Sequence, residues 1–318
     1  MKVLITGGAG FIGQLIAGVL LNDETYTVIL TDIITPPIPP DVKCPQNARS
    51  IKADLCSNDE VSKLVDKSID AAYVFHGIMS SGAEASFDFG MQVNLDSTRN
   101  LLNAFRATRP EIRVIYASSL AVYGRPFPAI LDESIRPTPE SSYGAAKLIC
   151  ETLVNDYSRR KFINGMVLRF PTITVRPGKP TAAASSFISG LIREPMNGQE
   201  CVIPIEDRSW GHWVCSPKTL VGNLVHALIV EQSSLSKNDV VINMPGIFVT
   251  VQDMLDALEK VGGKEKLNFI KEETDPATEA ILRSWAERYD NKLAYDLGFK
   301  GDSSFEQAVR DYKAGLEG

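Results

Sequence analysis

The chain has 318 residues, and 33 Lys plus Arg against 39 Asp plus Glu leave a formal net charge of -6. Such a balance argues against a partner that is a polyanion, because nucleic-acid binding rests on an excess of positive charge. With 44% hydrophobic and 23% charged residues the composition is that of an ordinary globular protein, which sets aside disorder and fibrous repeats.

The opening run Met1-Lys2-Val3-Leu4-Ile5-Thr6-Gly7 is short, lacks a basic flank and is stopped by glycine, so no secretion signal is expected. Charged residues or prolines interrupt every apolar stretch well before the roughly 20 residues that span a bilayer. A soluble, cytoplasmic chain without a membrane partner is the expectation. Cys44, Cys56, Cys150, Cys201 and Cys215 are scattered, with no CxxC pair, which predicts reduced thiols rather than a disulfide framework or a metal site.

Along the first half, short β-branched runs alternate with longer helical patterns, the signature of a parallel sheet wound with helices. Strands are predicted at Lys2–Thr6, Thr27–Thr31, Ser50–Ala53, Ala72–Phe75, Arg113–Ala117 and Met166–Phe170. Helices are predicted between them at Phe11–Leu21, Asn58–Asp66, Phe87–Thr108 and Tyr143–Lys161. The fold class is therefore α/β, a doubly wound parallel sheet, whose ligands bind beyond the carboxyl ends of the strands. After Phe170, prolines divide the chain into shorter pieces, with helical stretches at Thr181–Arg193, Pro217–Glu231, Val251–Lys260, Ala277–Arg288 and Ser303–Ala314. We expect a nucleotide-binding domain over 1–170 and a smaller lobe over 171–318, some of whose segments return to the sheet.

The run Gly7-Gly8-Ala9-Gly10-Phe11-Ile12-Gly13 follows the first strand and opens the first helix. Glycines there permit a tight turn and let backbone N–H groups approach a pyrophosphate, while the helix N-terminus adds partial positive charge. Asp32, at the end of the second strand, suits the hydroxyls of an adenosine ribose, and its charge would repel a 2′-phosphate, which favours NAD. A turn cap is its alternative. Asp54 and Leu55 follow the third strand, where they would meet the adenine or simply cap the next helix. His76 and Gly77 end the fourth strand, with room for the cofactor's adenosine half against Gly77; a structural role suits His76 better than a catalytic one.

Tyr143 and Lys147 lie one turn apart on a helix, and Ser118-Ser119 end the fifth strand. A phenol with an ordinary pKa near 10 is a poor base at neutral pH, so an adjacent ammonium is needed to stabilise its anion. Lys147 would provide that charge and hold a ribose, while a serine hydroxyl would fix the substrate oxygen for hydride transfer.

Taken together, Gly7, Gly10 and Gly13, the Asn94-Leu95-Asp96-Ser97-Thr98-Arg99-Asn100 stretch, Ser119 before Ala121-Val122-Tyr123-Gly124, and the Tyr143/Lys147 pair resemble the extended short-chain dehydrogenase/reductase family. The resemblance covers the whole chain. It implies a Rossmann fold with a smaller C-terminal substrate lobe, Ser119 as the catalytic serine, and Asn94 as a support of the hydrogen-bond network that also borders the cofactor. It further implies that Pro171 and Thr172 lie beside the nicotinamide. Homodimerisation through the helices Phe87–Thr108 and Tyr143–Lys161 follows from the same resemblance; Leu101, Leu102, Phe105, Leu148, Leu153 and Val154 suit that four-helix interface or, equally, the sheet.

Members acting on nucleotide sugars carry an Asn after the sixth strand and an Arg-Asp-Phe/Tyr-xx-Val-xx-Asp stretch. Here those regions read Phe170-Pro171-Thr172-Ile173 and Arg208-Ser209-Trp210-Gly211-His212-Trp213, which argues against a nucleotide sugar. The segments Val175 to Pro180, Ala184 to Gly190 and Arg193-Glu194-Pro195 look similar to the D-erythronate dehydrogenase branch, as do His76 through Gly82, Glu84 and Phe87 to Gly90. That branch more often has Leu-Ala-Ala where this chain has Gly77-Ile78-Met79. The implied substrate is a small sugar acid, oxidised at its C2 hydroxyl to a 2-oxo acid.

A hydroxy acid needs a cation for its carboxylate and donors for its alcohols. Arg176 and Lys179 are the candidate cations, Ser80, Ser81 and Ser185 the candidate donors, with a solvated loop as the alternative. His212, between Trp210 and Trp213, would line the pocket or sit in a packed aromatic cluster. Three rival functions stay open: an L-threonine dehydrogenase-like activity, a sugar epimerase that returns the hydride to its substrate, and a regulator that senses NAD without catalysis.

Overall fold

The computed structural model describes residues 1–179, 184–236 and 239–317. In chain order its first half runs β1 (Lys2–Thr6), α1 (Phe11–Leu20), β2 (Thr27–Asp32), β3 (Ala48–Lys52), α2 (Asn58–Leu64), β4 (Ala71–Val74), α3 (Ser80–Ala85), α4 (Phe87–Met91), a π-helical turn at Gln92–Asp96, α5 (Ser97–Thr108), β5 (Arg113–Ser119), α6 (Ser142–Arg159) and β6 (Asn164–Phe170). The remainder runs β7 (Thr172–Ile173), α7 (Ser186–Met196), β8 (Cys201–Ile203), β9 (Gly211–Cys215), α8 (Pro217–Ala227), β10 (Val241–Asn243), β11 (Ile247–Thr250), α9 (Val251–Gly262), β12 (Ile270–Glu272), α10 (Pro276–Leu282), α11 (Lys292–Asp296) and α12 (Phe305–Glu317). Of the helix expected from Thr181, residues Thr181 to Ala183 lie outside the described residues. No described helix is long and apolar enough to cross a membrane.

Two compact units make up the chain. The first comprises Met1–Tyr123, Arg136–Phe170 and Asn223–Ile242; the second comprises Gly124–Ile135, Pro171–Gly222 and Asn243–Gly318.

In the first unit β1 to β6 pair in parallel, and the seven-stranded sheet has the order β10-β6-β5-β4-β1-β2-β3. Its inner strands are largely apolar, because helices cover a parallel sheet on both faces, whereas the edge strand β3 carries Arg49, Ser50 and Lys52. Val3, Leu4, Ile5, Val28, Leu30, Ala72, Tyr73, Val114, Ile115, Tyr116, Met166 and Leu168 are all buried. Each large aliphatic side chain so removed from water contributes roughly 1.5–3 kcal/mol before its entropy is counted. The order reverses at β1, which has β2 on one side and β4 on the other. Such a switch point opens a crevice at the carboxyl ends of the strands, as expected of a Rossmann fold.

The second unit holds the three-stranded sheet β11-β9-β7 and the parallel pair β12-β8. Ile188, Leu191 and Ile192 of α7 and Met254, Leu255 and Leu258 of α9 share its core with Phe187, Trp210, Val214 and Val309. A capping box starts α9: the Thr250 side chain accepts from Asp253 N, and Asp253 accepts in return from Thr250 N.

The helix expected over Phe87–Thr108 is interrupted. Gly90 packs against Ala83 so closely that a Cβ would lie 3.0 Å from the Ala83 Cα, and the Gln92–Asp96 turn is wound with one extra residue. Leu101, Leu102, Phe105 and Val154 are buried within this chain, so they serve its own core and are not free for an interface.

Candidate active site

The glycine-rich loop is closely packed backbone. Gly7 has a φ of +65°, and a Cβ there would stand 2.8 Å from His76 N; a Cβ on Gly13 would collide with the Gly7 carbonyl. Neither position tolerates a side chain. No side chain caps the N-terminus of α1, and its first turn carries no acid, so its leading N–H groups remain available to an anion. Asp32 closes the loop from β2: its carboxylate accepts from Ala9 N at 3.0 Å and from Ile33 N at 2.7 Å. A cap and a cofactor acceptor are compatible roles here, because each carboxylate oxygen has a second lone pair.

Asp54 spends one oxygen on Cys56 N at 2.9 Å, forming a turn, and Leu55 beside it is buried. His76 is held at both nitrogens, by Thr6 Oγ1 at 2.8 Å from Nδ1 and by Ser97 Oγ at 2.7 Å from Nε2. Burial, and then the charge of Lys147, push its pKa down to about 3. It is therefore a neutral spacer at physiological pH. Gly77 leaves room for Asn94, whose Oδ1 would be 2.8 Å from a Cβ at that position. The Asn94 amide clamps the next residue, accepting from Ile78 N at 2.7 Å and donating to Ile78 O at 3.0 Å. The π-helical turn carries Asn94, which is 2% exposed, and thereby ties α5 to the end of β4.

Ser141 starts α6 by accepting from Gly144 N at 3.1 Å, and Gly144 has no Cβ to strike the Ala121 carbonyl. This close approach brings Tyr143 against the end of β5, where its hydroxyl faces the Ser119 side chain. Burial pushes Tyr143 up to about 12, and the Ser119 hydroxyl beside it opposes that shift. One turn on, Lys147 Nζ lies 5.6 Å from the Tyr143 ring centroid and donates to the Ala117 carbonyl at 2.6 Å. Its pKa is pushed down to about 8, mainly by burial.

The two serines of β5 face different neighbours. Ser118 gives its hydroxyl to Glu151, which also holds Arg169 through bonds of 2.9 and 2.6 Å; Arg169 in turn donates to the Tyr123 hydroxyl at 2.6 Å. That network is buried and closed. Ser119 is half-buried and turned to Tyr143.

Among the expected donors, Ser80 is half-buried and Ser81 exposed, both on α3. Glu84 of the same helix accepts from Ser142 N at 2.5 Å, which ties α3 to the start of α6.

The remaining expected residues belong to the second unit. Pro171 precedes β7, and Thr172 Oγ1 is 2.7 Å from His212 Nε2. His212 stacks on Trp210, with centroids 5.8 Å apart, and meets Trp285 at 5.1 Å. Trp213 packs instead on Tyr289, because successive residues of β9 point to opposite faces. This corrects the expected pairing: the aromatic partners of His212 are Trp210 and Trp285. Arg176 N donates to Ser189 Oγ at 3.2 Å, while its carbonyl accepts from Arg193, which is ion-paired with Glu194 at 2.6 Å. The Arg176 guanidinium is half-buried and meets no acid among the described residues; burial and the like charge of Arg193 lower its pKa. Lys179 is exposed and Ser185 half-buried at the start of α7.

Sequence reasoning missed the two hydroxyls that hold His76, the Asn94 clamp on Ile78 and the bond between Thr172 and His212. Only Ser97 left a signal, standing one turn after Asn94 on a face that must meet β4.

A glycine-rich loop at the switch point, an acid at the end of β2 and a Ser, Tyr and Lys group beyond β5 define the class: an NAD-dependent oxidoreductase of CH–OH carbons. The chain belongs to the NAD dependent epimerase/dehydratase family, whose pattern it matches over residues 3–214. It is 41% identical over 318 residues to a D-erythronate dehydrogenase of Haemophilus influenzae, covering 98% of each chain. It is 38% identical over 322 residues to a D-erythronate dehydrogenase of Cupriavidus necator, again with 98% of each chain covered. A solved structure described as a nucleoside-diphosphate-sugar epimerase from Agrobacterium tumefaciens is similar at a TM-score of 0.92 and 36% identity, covering 98% of this chain and 93% of that one.

Proposed function

We propose that the protein oxidises the C2 hydroxyl of a small sugar acid of the D-erythronate type to a 2-oxo acid, with NAD as the oxidant. The facing pair Ser119 and Tyr143, with Lys147 one turn behind, carries the chemistry in this reading. Ser119 donates to the substrate oxygen. Tyr143 Oη, as phenolate, takes the hydroxyl proton. Lys147 stabilises that phenolate: its ammonium stands one turn behind, 5.6 Å from the centroid of the Tyr143 ring, and a positive charge there favours the anion against the burial that raises the phenol. NAD, when bound, supplies the hydride acceptor and a second positive charge beside the phenol. The products are the 2-oxo acid, NADH and one proton.

Gly7, Gly10 and Gly13 with the N–H groups of Phe11 and Ile12 would receive the pyrophosphate, and Asp32 the ribose. Asp54, Leu55, His76 and Gly77 would border the adenosine half. Asn94, Pro171 and Thr172 would border the nicotinamide, and Lys147 its ribose. Arg176 suits the substrate carboxylate because its guanidinium meets no acid among the described residues, with Lys179, Ser80, Ser81 and Ser185 as further contacts. The two relatives named for D-erythronate support this substrate class.

A cytoplasmic homodimer completes the reading. All five cysteines are free, which suits a reducing compartment. Phe87 and Phe89 of α4 and Ile149 of α6 are exposed in the single chain and offer an apolar surface to a second copy. Gel filtration at micromolar concentration is expected to give a dimer; a monomer would remove this part of the reading.

The deciding experiment is NADH absorbance on mixing the protein with NAD or NADP and D-erythronate, L-threonate, D-glycerate, L-threonine or UDP-glucose. NADH formation with a tetronate, lost in Tyr143→Phe, is the expected result. Turnover of L-threonine or of the nucleotide sugar alone would replace the substrate, and silence with intact NAD binding would favour a sensor.

A further inference from the structure

We infer that Tyr116 of β5 is a positioning residue for the reaction: the face of its ring is the seat of the Lys147 ammonium. The inference rests on the role proposed above for Lys147. Lys147 Nζ stands 4.8 Å from the Tyr116 ring centroid, nearer than the 5.6 Å to the Tyr143 ring. An ammonium has three donors, and the Ala117 carbonyl at 2.6 Å takes one of them. Lys147 is 5% exposed, so bulk water offers little to the rest.

The surrounding charges, of which Cys150 and Glu151 favour the ammonium, compensate only in part for its burial. On α6 itself, Tyr143 is a neutral phenol, Cys150 a thiol whose pKa burial raises, and Glu151 is bound by Arg169 of β6. His76, beyond β4, is neutral. Tyr116 is a neutral phenol too, since burial raises its pKa well above the ordinary value. What its ring offers is the negative face of an aromatic quadrupole, and a desolvated cation gains most from that. The ring is also firmly placed: Tyr116 is 1% exposed and sits between Val74 and Val167 in the middle of the sheet. The ring at 4.8 Å and the Ala117 carbonyl at 2.6 Å together fix where the lysine charge stands relative to Tyr143.

The test follows the Lys147 side chain directly. In the full chain labelled with ¹³C-lysine, the Cε resonance of Lys147, assigned through Lys147→Met, is titrated for wild type, Tyr116→Phe, Tyr116→Leu and a variant with pentafluorophenylalanine at position 116. Fluorination keeps the ring's shape and reverses its quadrupole, so this variant separates electrostatics from packing even if Tyr116→Leu does not fold. Tyr116→Phe is expected to keep the wild-type midpoint, and the fluorinated ring to lower it by about one pKa unit. In parallel, the alkaline limb of kcat with NAD and D-erythronate should move by the same amount, with KM little changed. Unmoved midpoints across the series would overturn the inference, as would equal shifts for Tyr116→Phe and the fluorinated ring. A wild-type chain inert toward D-erythronate would overturn the proposed substrate, while the titration still decides the role of the ring.

Discussion

Ser119 and Tyr143 face each other side chain to side chain, one from the end of β5 and the other from the first turn of α6. Ser118, adjacent in sequence, faces the opposite way and donates to Glu151 at 2.5 Å. The two hydroxyls are thereby committed to different tasks, and substitution should separate them. Ser119→Ala is expected to lower kcat by about 10²-fold, and Tyr143→Phe by about 10²–10⁴-fold, with NAD affinity nearly unchanged in both. Ser118→Ala should instead cost about 1–3 kcal/mol in urea unfolding, because it removes a partner from the buried Glu151. Equal kinetic losses in the two serine variants would contradict this division.

Arg176 gives a prediction about substrate binding. A charge-assisted bond to a carboxylate is worth about 1.5–3 kcal/mol, so Arg176→Ala should raise the sugar-acid KM by roughly 10–100-fold and leave the KM for NAD in place. Lys179→Ala, at an exposed position, should have a smaller effect. An unchanged substrate KM in Arg176→Ala would move the carboxylate site elsewhere.

Asp32 should govern the choice of dinucleotide. Its carboxylate is pinned by Ala9 N and Ile33 N, so it cannot swing away from a 2′-phosphate placed against it. Asp32→Ser is expected to lower kcat/KM for NAD by about tenfold or more and to raise that for NADP, narrowing the ratio between the two. Initial rates with both cofactors would read this directly.

Two histidines, His212 buried and His76 half-buried, make the fold sensitive to acid. His76 is depressed to about 3 and His212 to about 4 from an ordinary 6.5, in each case chiefly by burial. Between those values and 6.5 the unfolded chain binds protons that the folded chain refuses, so stability falls as the pH drops through that window. Each histidine should contribute a slope of about 1.4 kcal/mol per pH unit there. Urea unfolding at pH 7.5, 6 and 5 should show the loss, and His76→Gln should reduce its slope. A flat profile over that range would mean that the rings become charged without unfolding.

Much of the first unit was readable because its signals are local. The apolar runs of β1, β2, β4, β5 and β6 lie within a few residues of their expected ends, and α6 spans Ser142–Arg159 against an expected Tyr143–Lys161. β10 was not expected: three residues at Val241–Asn243 pair beside β6 far along the chain, and so short a run has no period to recognise. The break in the Phe87–Thr108 helix was equally hidden, since Gly90 meets Ala83 only after α3 and α4 have packed.

The sequence alone determined the glycine-rich loop after a strand, the acid at the end of the next strand and the Tyr143/Lys147 spacing on one helical face. Each depends on a few neighbouring residues, whose backbone preferences act before any tertiary contact forms. The tertiary structure decided which hydroxyl faces Tyr143, which groups hold His76, that Asn94 clamps Ile78 and that Lys147 rests on Tyr116. Those partners come from β4, β5, α5 and α6, segments brought together by burial of the sheet faces. Their pairing is a property of the packed core, which no stretch of the chain expresses by itself.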